Sequence, residues 1–208
     1  MRINGDVPWR LEQLTEPTAE PMEVDEARDE HVRLISDADE HAYFQGLIKV
    51  AREHAEGFLR RPLITQDWVL FLDRFPRHQI TVPLPPLQSI TTIEYIDTTG
   101  ALVTWAAAEY KVSGQTTANS NAIRPPRARI RPAWGLTWPT VRGEQDAVKV
   151  TFKCGYGDNG KAVPATIKHG MKLIIGELYV QRKQSLQDVF QHPAVISAEN
   201  LWWRYKLH

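Results

Sequence analysis

What this 208-residue chain lacks narrows it first. It holds one cysteine, Cys154, which rules out an internal disulfide and a cysteine-only metal cluster. A reducing compartment fits that usage. No run of eighteen apolar residues occurs, so no membrane-spanning helix is expected. The opening stretch MRINGDVPWRLEQLTEP has no apolar core and no small-residue cleavage pattern, and it does not read as a secretion signal. His31, His41, His54, His78, His169, His192 and His208 never fall at His-x-x-x-His spacing. There is no glycine-rich phosphate loop, no Gly-x-Ser-x-Gly elbow and no recognisable glycosidase-like pair of acids. Catalysis therefore has no candidate constellation, and no cofactor or metal site is expected.

Net charge is also missing, with 25 basic residues against 25 acidic ones. A generic nucleic-acid binder is not suggested by that balance. The balance hides an asymmetry along the chain. Residues 1–60 carry seven Lys/Arg and fourteen Asp/Glu, a net of −7, and residues 61–208 carry a net of +7. Opposite halves could steer copies together head-to-tail. The plainer reading is that acidic helices precede a basic β part.

What is present sorts by period. Residues 1–21 are polar, hold three prolines and read as a flexible arm. From Met22 a short helix is expected, with Val24, Ala27, Val32 and Ile35 apolar among acids. Ser36-Asp37-Ala38-Asp39 breaks it and can cap the next helix. Capping explains Asp37, Asp39 and Glu40 more simply than metal binding does. Phe44, Leu47, Ile48, Ala51, Ala55, Phe58 and Leu59 then draw one apolar stripe at helical spacing, which Arg60, Arg61 and Pro62 end. From 63 to 157 the period becomes two. QDWVLFLD, HQITV, SITTIEYI, LVTW, AEYKVSG and AVKVTFKCGYG read as short strands, with a hairpin turn at Asp97-Thr98-Thr99-Gly100. In the last of these strands Cys154 shares a face with Val148, Val150 and Phe152 and reads as a small buried hydrophobe. Pro164 opens a helix predicted over 164–183, in which Ile167, Met171, Ile174, Ile175 and Leu178 are apolar, and Gly170 and Gly176 would admit a close backbone. Residues 184–208 form a tail with a last helix from Ala194. The expected fold class is α+β. Two N-terminal helices, one long helix after the sheet and a C-terminal helix form a helical bundle, into which a small antiparallel β part is inserted. The domain limits are an arm over 1–21, a main domain over 22–183 and a tail over 184–208.

Three stretches invite a functional reading. Pro83-Leu84-Pro85-Pro86 could be a docking ligand, but strands fence it on both sides, and an edge or crossover between strands is the simpler account. Residues 114–144 form a long irregular stretch with Arg124, Arg127, Arg129, Arg131, Trp134 and Trp138, and no acid between Glu109 and Glu144. Such a loop can meet DNA phosphates, meet an acidic protein surface, or remain solvated. The chain closes on Leu201, Trp202, Trp203, Arg204, Tyr205 and Lys206, residue types that anchor protein interfaces. Leu201, Trp202 and Tyr205 share a helix face and Trp203 points elsewhere, so an intermolecular anchor is read there in preference to fold-back onto the core.

The order of these elements resembles the head–tail connector proteins of long-tailed double-stranded DNA phages and prophages, also called adaptor or head-completion proteins. The resemblance covers roughly Glu20 to Lys183. It rests on Leu63-Ile64-Thr65-Gln66 with Trp68, on Pro83-Leu84-Pro85-Pro86-Leu87, on Trp138-Pro139, and on Gly155-Tyr156-Gly157 followed by Val163-Pro164. It implies a structural virion protein that is not an enzyme, made in the host cytoplasm. It further implies a dodecameric ring below the portal protein at the head–tail junction. Such a ring extends the DNA channel without sequence-specific binding and receives a stopper or tail-completion protein. The 201–206 cluster would then dock on the portal, and the arginine stretch would meet a neighbouring subunit or the next ring. The long arm and the Trp202-Trp203 pair depart from the family pattern. Two other readings stay open: a DNA-binding accessory protein using the arginine stretch, and a carbohydrate-binding tail component using exposed tryptophans.

Overall fold

Period-two segments became strands and period-3.6 segments became helices, and the chain gathers the two kinds separately. The computed structural model describes residues 4–28, 41–116, 125–180 and 192–207. It divides into two compact units. Met1–Pro17, Thr65–Ala118 and Pro125–Gly155 form the first, and Thr18–Ile64, Asn119–Arg124 and Tyr156–His208 form the second. The expected arm, main domain and tail followed chain order. The units do not, because each collects distant segments.

The first unit holds two antiparallel sheets. One has the order β1-β2-β8-β4-β5, from β1 (Trp9–Gln13), β2 (Gln66–Leu72), β4 (Leu87–Ile96), β5 (Leu102–Thr104) and β8 (Val148–Cys154). The other has the order β3-β7-β6, from β3 (Ile80–Thr81), β6 (Tyr110–Ser113) and β7 (Arg129–Pro132). In β8 the alternation acts as read: Val148, Val150, Phe152 and Cys154 are fully buried, while Lys149, Thr151 and Lys153 are half-buried. Each such buried valine or phenylalanine contributes about 1.5–3 kcal/mol relative to exposure. The hairpin turn also forms as read. Gly100 adopts φ 91, and the Asp97 carboxylate accepts bonds from the Thr99 hydroxyl (2.6 Å), the Thr99 N–H (2.8 Å) and the Ala101 N–H (3.0 Å). Led by the hydroxyl bond, these donors hold the Asp97 carboxyl below its ordinary range.

Two expectations for this part are corrected. Trp9–Gln13 lies within the expected flexible arm, yet it is an edge strand paired from Trp9↔Leu72 to Gln13↔Trp68. Its alternation of Trp9 and Leu11 with Arg10 and Glu12 is short and only half-buried, too weak a pattern to stand out. The charges on its outward positions suit an exposed edge. Residues 129–132 lie in the stretch expected to be irregular, and they are the central strand of the second sheet. The proline stretch carries the chain from β3 in one sheet to β4 in the other. Pro83, Pro85 and Pro86 are buried and the Pro86 carbonyl accepts the Gly155 N–H at 3.0 Å, so no ligand-like face remains.

The second unit holds α1 (Val24–Ala27), α2 (His41–Leu59), α3 (Ala165–Val180) and α4 (Pro193–Trp202). Helix α3 packs against both α2 and α4, and α1 packs against α2. Phe44, Leu47, Ile48, Ala51, Ala55 and Leu59 of α2 share one core with Ile167, Met171, Ile174, Ile175 and Leu178 of α3. These are the two stripes read from sequence, with Phe58 only partly buried. Val32, Ile35, the Ser36–Asp39 break and Glu40 lie outside the described residues, as do residues 181–191. Helix α2 stops where Arg60 takes a left-handed φ of 56 and Pro62 removes a donor. The Pro164 carbonyl accepts the N–H groups of Ile167 and Lys168, so Pro164 caps α3 from just outside its first turn.

The charge asymmetry dissolves in this division. The first unit contains eleven Lys/Arg and ten Asp/Glu, and the second contains fourteen and fifteen. The acidic segment is met inside its own unit. Lys168 and Lys172 hold Glu26 at 2.9 and 3.0 Å, and buried Arg52 holds Glu20 and Glu56 at 2.9 and 3.0 Å. Each unit is close to neutral, so charge does not follow secondary structure: the expected contrast of acidic helices with a basic β part is corrected, and head-to-tail steering by opposite halves loses its basis.

Candidate interaction surfaces

The C-terminal cluster is split by helix geometry. Successive helical residues point about 100° apart. Trp202 therefore faces inward and is fully buried, and its indole N–H donates to the Ile167 carbonyl at 3.1 Å. Gly170 of α3 makes room for it, because a Cβ there would run into the indole. The close approach expected at this glycine is made by a side chain and not by a backbone. Tyr205 is also buried, and the Leu207 N–H closes the tail onto the Leu59 carbonyl at 3.1 Å. Trp202 and Tyr205 are thus core residues of their own unit, which corrects the reading of both as portal-binding residues. Trp203 is 54% exposed, Leu201 and Arg204 are exposed, and the Lys206 ammonium lies 4.0 Å from the Phe58 ring and 5.1 Å from the Trp203 ring. The outward remnant of the cluster is Leu201, Trp203, Arg204 and Lys206, flanked on α4 by exposed Ile196.

The arginine stretch is split by strand register. Arg124 lies outside the described residues, and Arg127 is half-buried. On β7, Ile130 is fully buried between Ile80 of β3 and Val112 of β6, so Arg129 and Arg131 take the opposite, exposed face. Trp138 is no surface anchor: it stacks on Phe75 at 4.8 Å and 14°, and lies 5.3 Å from buried Trp105. Trp134 is fully exposed, with exposed Leu136, on a turn closed by the Leu136 N–H to the Ala133 carbonyl at 3.0 Å. Gly135 at φ 78 sits at its tip.

Sequence reading missed Lys111, which faces Arg131 directly across the β6–β7 pair. The signal was present in Ala128-Arg129-Ile130-Arg131, a period-two pattern obscured by Pro125, Pro126 and Pro132. An open cleft of about 640 Å³ lies in the same unit, lined among others by Asn4, Asp6, Arg74, Phe75, Arg77 and His78. Asn4 stitches its floor by pairing both ways with the Thr81 backbone, at 2.6 and 3.3 Å. Among the described residues no group of three His, Cys, Asp or Glu could hold a metal ion, and no helix is long and apolar enough to cross a membrane.

The fold so assembled is a mixed α/β one with antiparallel sheets and four described helices. No protein-family model and no curated protein matches the chain. Solved structures do match its fold. One is a chain from the neck of an empty gene transfer agent particle computed with C6 symmetry, at TM-score 0.71 and 23% identity over 96% of both chains. A second comes from the neck of a native particle computed with C12 symmetry, at TM-score 0.69 and 23% identity, again over 96% of both. A third, from the virion of a native gene transfer agent particle, gives 0.69 and 22% over 95% of both. The likeness runs through both compact units.

Proposed function

We propose that this chain is a structural protein of the neck of a phage-like particle, acting as a ring of identical copies between portal and tail. The observation that carries this reading is the fold likeness over 96% of both chains to a neck protein solved with twelve-fold symmetry. The reading assigns the chain no catalytic step and no cofactor. Neighbouring copies associate by a heterologous contact whose rotation closes on itself. The ring extends the DNA path at the head–tail junction and offers its far side to a stopper or tail-completion protein. Exposed Trp203 and Leu201, with Arg204 and Lys206, are the portal-facing anchor. Exposed Trp134 and Leu136 serve the neighbouring subunit or next ring. Large amphipathic side chains held outward on ordered backbone are the residue types that dominate interface energetics.

The test uses portal rings from the same genome, mixed with the full-length protein and imaged by electron microscopy. Ring-shaped density added below the portal is expected. Its absence sinks the neck reading. A Leu201→Ser, Trp203→Ser double variant should lose that density while staying folded. If the density survives in the double variant, the ring stands and the anchor falls.

A further inference from the structure

We propose that the exposed face of the β7-β6 pair is a contact surface for the sugar-phosphate backbone of double-stranded DNA. The face is built by register. Ile80, Ile130 and Val112 pair across the three strands and point to one side. The other side of β7 carries Arg129 and Arg131, and β6 sets Lys111 opposite Arg131 and Ser113 opposite Arg129. Lys111, Arg129 and Arg131 are all exposed. Like charges directly opposite in an antiparallel pair destabilise the sheet. Here that conflict has no acid to relieve it: Lys111 and Arg129 form no ion pair with any described residue, and Arg131 is bound by a neutral group. Both Nε and Nη2 of Arg131 donate to Oε1 of Gln79, at 3.1 and 2.6 Å. Gln79 orients the guanidinium and leaves its charge uncancelled. Arg77, exposed and two residues before Gln79, extends the basic surface along the loop into β3.

A surface that stores uncompensated positive charge in a fixed array fits a polyanion. A second copy of this chain is a poorer fit, because many of its described acids are already held. Arg10 takes Glu12 and Asp146, Lys149 takes Glu94, Arg142 takes Glu144, and Glu20, Glu26 and Glu56 are paired as described above. Duplex DNA offers dense, evenly repeated charge whose bound counterions are released on contact. Contact through Lys and Arg to phosphates positions a duplex without reading its sequence. That DNA is the polyanion at hand rests on the neck reading.

The test is fluorescence anisotropy of the full-length protein with two labelled duplexes of unrelated sequence, from 50 to 200 mM salt. Equal affinity for both duplexes and a steep fall with salt are expected. The Lys111→Ser, Arg129→Ser, Arg131→Ser triple variant should lower the slope of log affinity against log salt by roughly one per residue replaced. Lys161→Ser, which removes one exposed positive charge from the other unit, should leave the slope unchanged. If the triple variant does not fold, Arg129→Ser alone, whose side chain bonds nothing described, should lower the slope by roughly one. An unchanged slope in these variants, or no binding at 50 mM salt, overturns the proposal. Tighter binding to polyglutamate than to DNA overturns it in favour of an acidic protein partner. The neck reading fails separately: a protein that binds duplex but adds no density to portal rings keeps the contact and loses the neck. A triple variant that binds as wild type loses the contact whatever the portal rings show.

Discussion

The segment 201–206 and the segment 127–138 each carry two tryptophans, and in each the fold takes one inward and leaves one outward. In the first, the neighbours Trp202 and Trp203 are separated by the turn of a helix end, so adjacency in sequence becomes opposition in space. In the second, Trp134 and Trp138 are separated by a turn that leaves Trp134 at its tip and returns Trp138 to Phe75. The cores they join differ. Trp202 fills a slot that Gly170 leaves open and satisfies its N–H on Ile167. Trp138 adds a half-buried ring to an aromatic cluster with Phe75 and Trp105. A run of aromatic and basic residues is therefore no single interface. Its members divide between fold and surface according to backbone direction.

The comparison breaks most visibly at Trp202. Trp202→Ala should cost about 3–5 kcal/mol in chemical denaturation, while Trp203→Ala should stay within about 0.5 kcal/mol of wild type. Equal losses from the two would mean that the pair is not divided as described. For the same reason, deleting the chain from Ser197 onward would remove core and anchor together, so point variants are the cleaner probes of docking. Next in size is Gly170→Ala, which should cost about 1–3 kcal/mol by overpacking against the indole. In a Trp202→Ala background that penalty should vanish, and additive losses in the double variant would show that the two positions do not touch. Trp138→Ala should cost the first unit its stacking with Phe75, about 0.5–1.5 kcal/mol beyond lost area. Trp134→Ser should leave the melting temperature unmoved and impair only assembly. A Trp134→Ser variant that unfolds early would place that ring in the fold after all.

The smallest effect is electrostatic. Burial pushes the Glu26 carboxyl up, but the bonds from Lys168 and Lys172 outweigh it and hold the group below its ordinary value. A carboxyl depressed in the folded state contributes stability above its unfolded value, near 4.3 for glutamate. That contribution is lost as pH falls through the folded value. Glu26→Gln should therefore flatten the acid limb of the stability curve slightly and leave its shape above pH 6 unchanged. An identical acid limb in wild type and variant would remove Glu26 from the account.

Much of the fold was legible. The stripes of α2 and α3, the alternation of β8 and the Asp97–Gly100 turn depend on local period and local hydrogen bonding, which a sequence displays directly. Two elements were not. Trp9–Gln13 carries too little alternation to announce an edge strand, because one side of an edge needs no apolar residue. Arg129–Pro132 hid its period between prolines. Of the candidate interaction residues, Trp203 and Trp134 keep an exposed place, Trp202 and Tyr205 go to the interior, Trp138 packs half-buried on the aromatic cluster, and Lys111 joins the surface unannounced.

The sequence by itself determined the long helices, the strongly alternating strands, the apolar faces of both and the Asp97–Gly100 turn. Those properties come from spacing and from residues within a few positions of one another. Only the tertiary structure decided how distant segments combine. It set the acidic helix beside its lysines, brought Lys111 opposite Arg131, and opened at Gly170 the slot that Trp202 fills. Contacts of that kind join residues tens of positions apart, and no local period encodes which distant partner a side chain will meet.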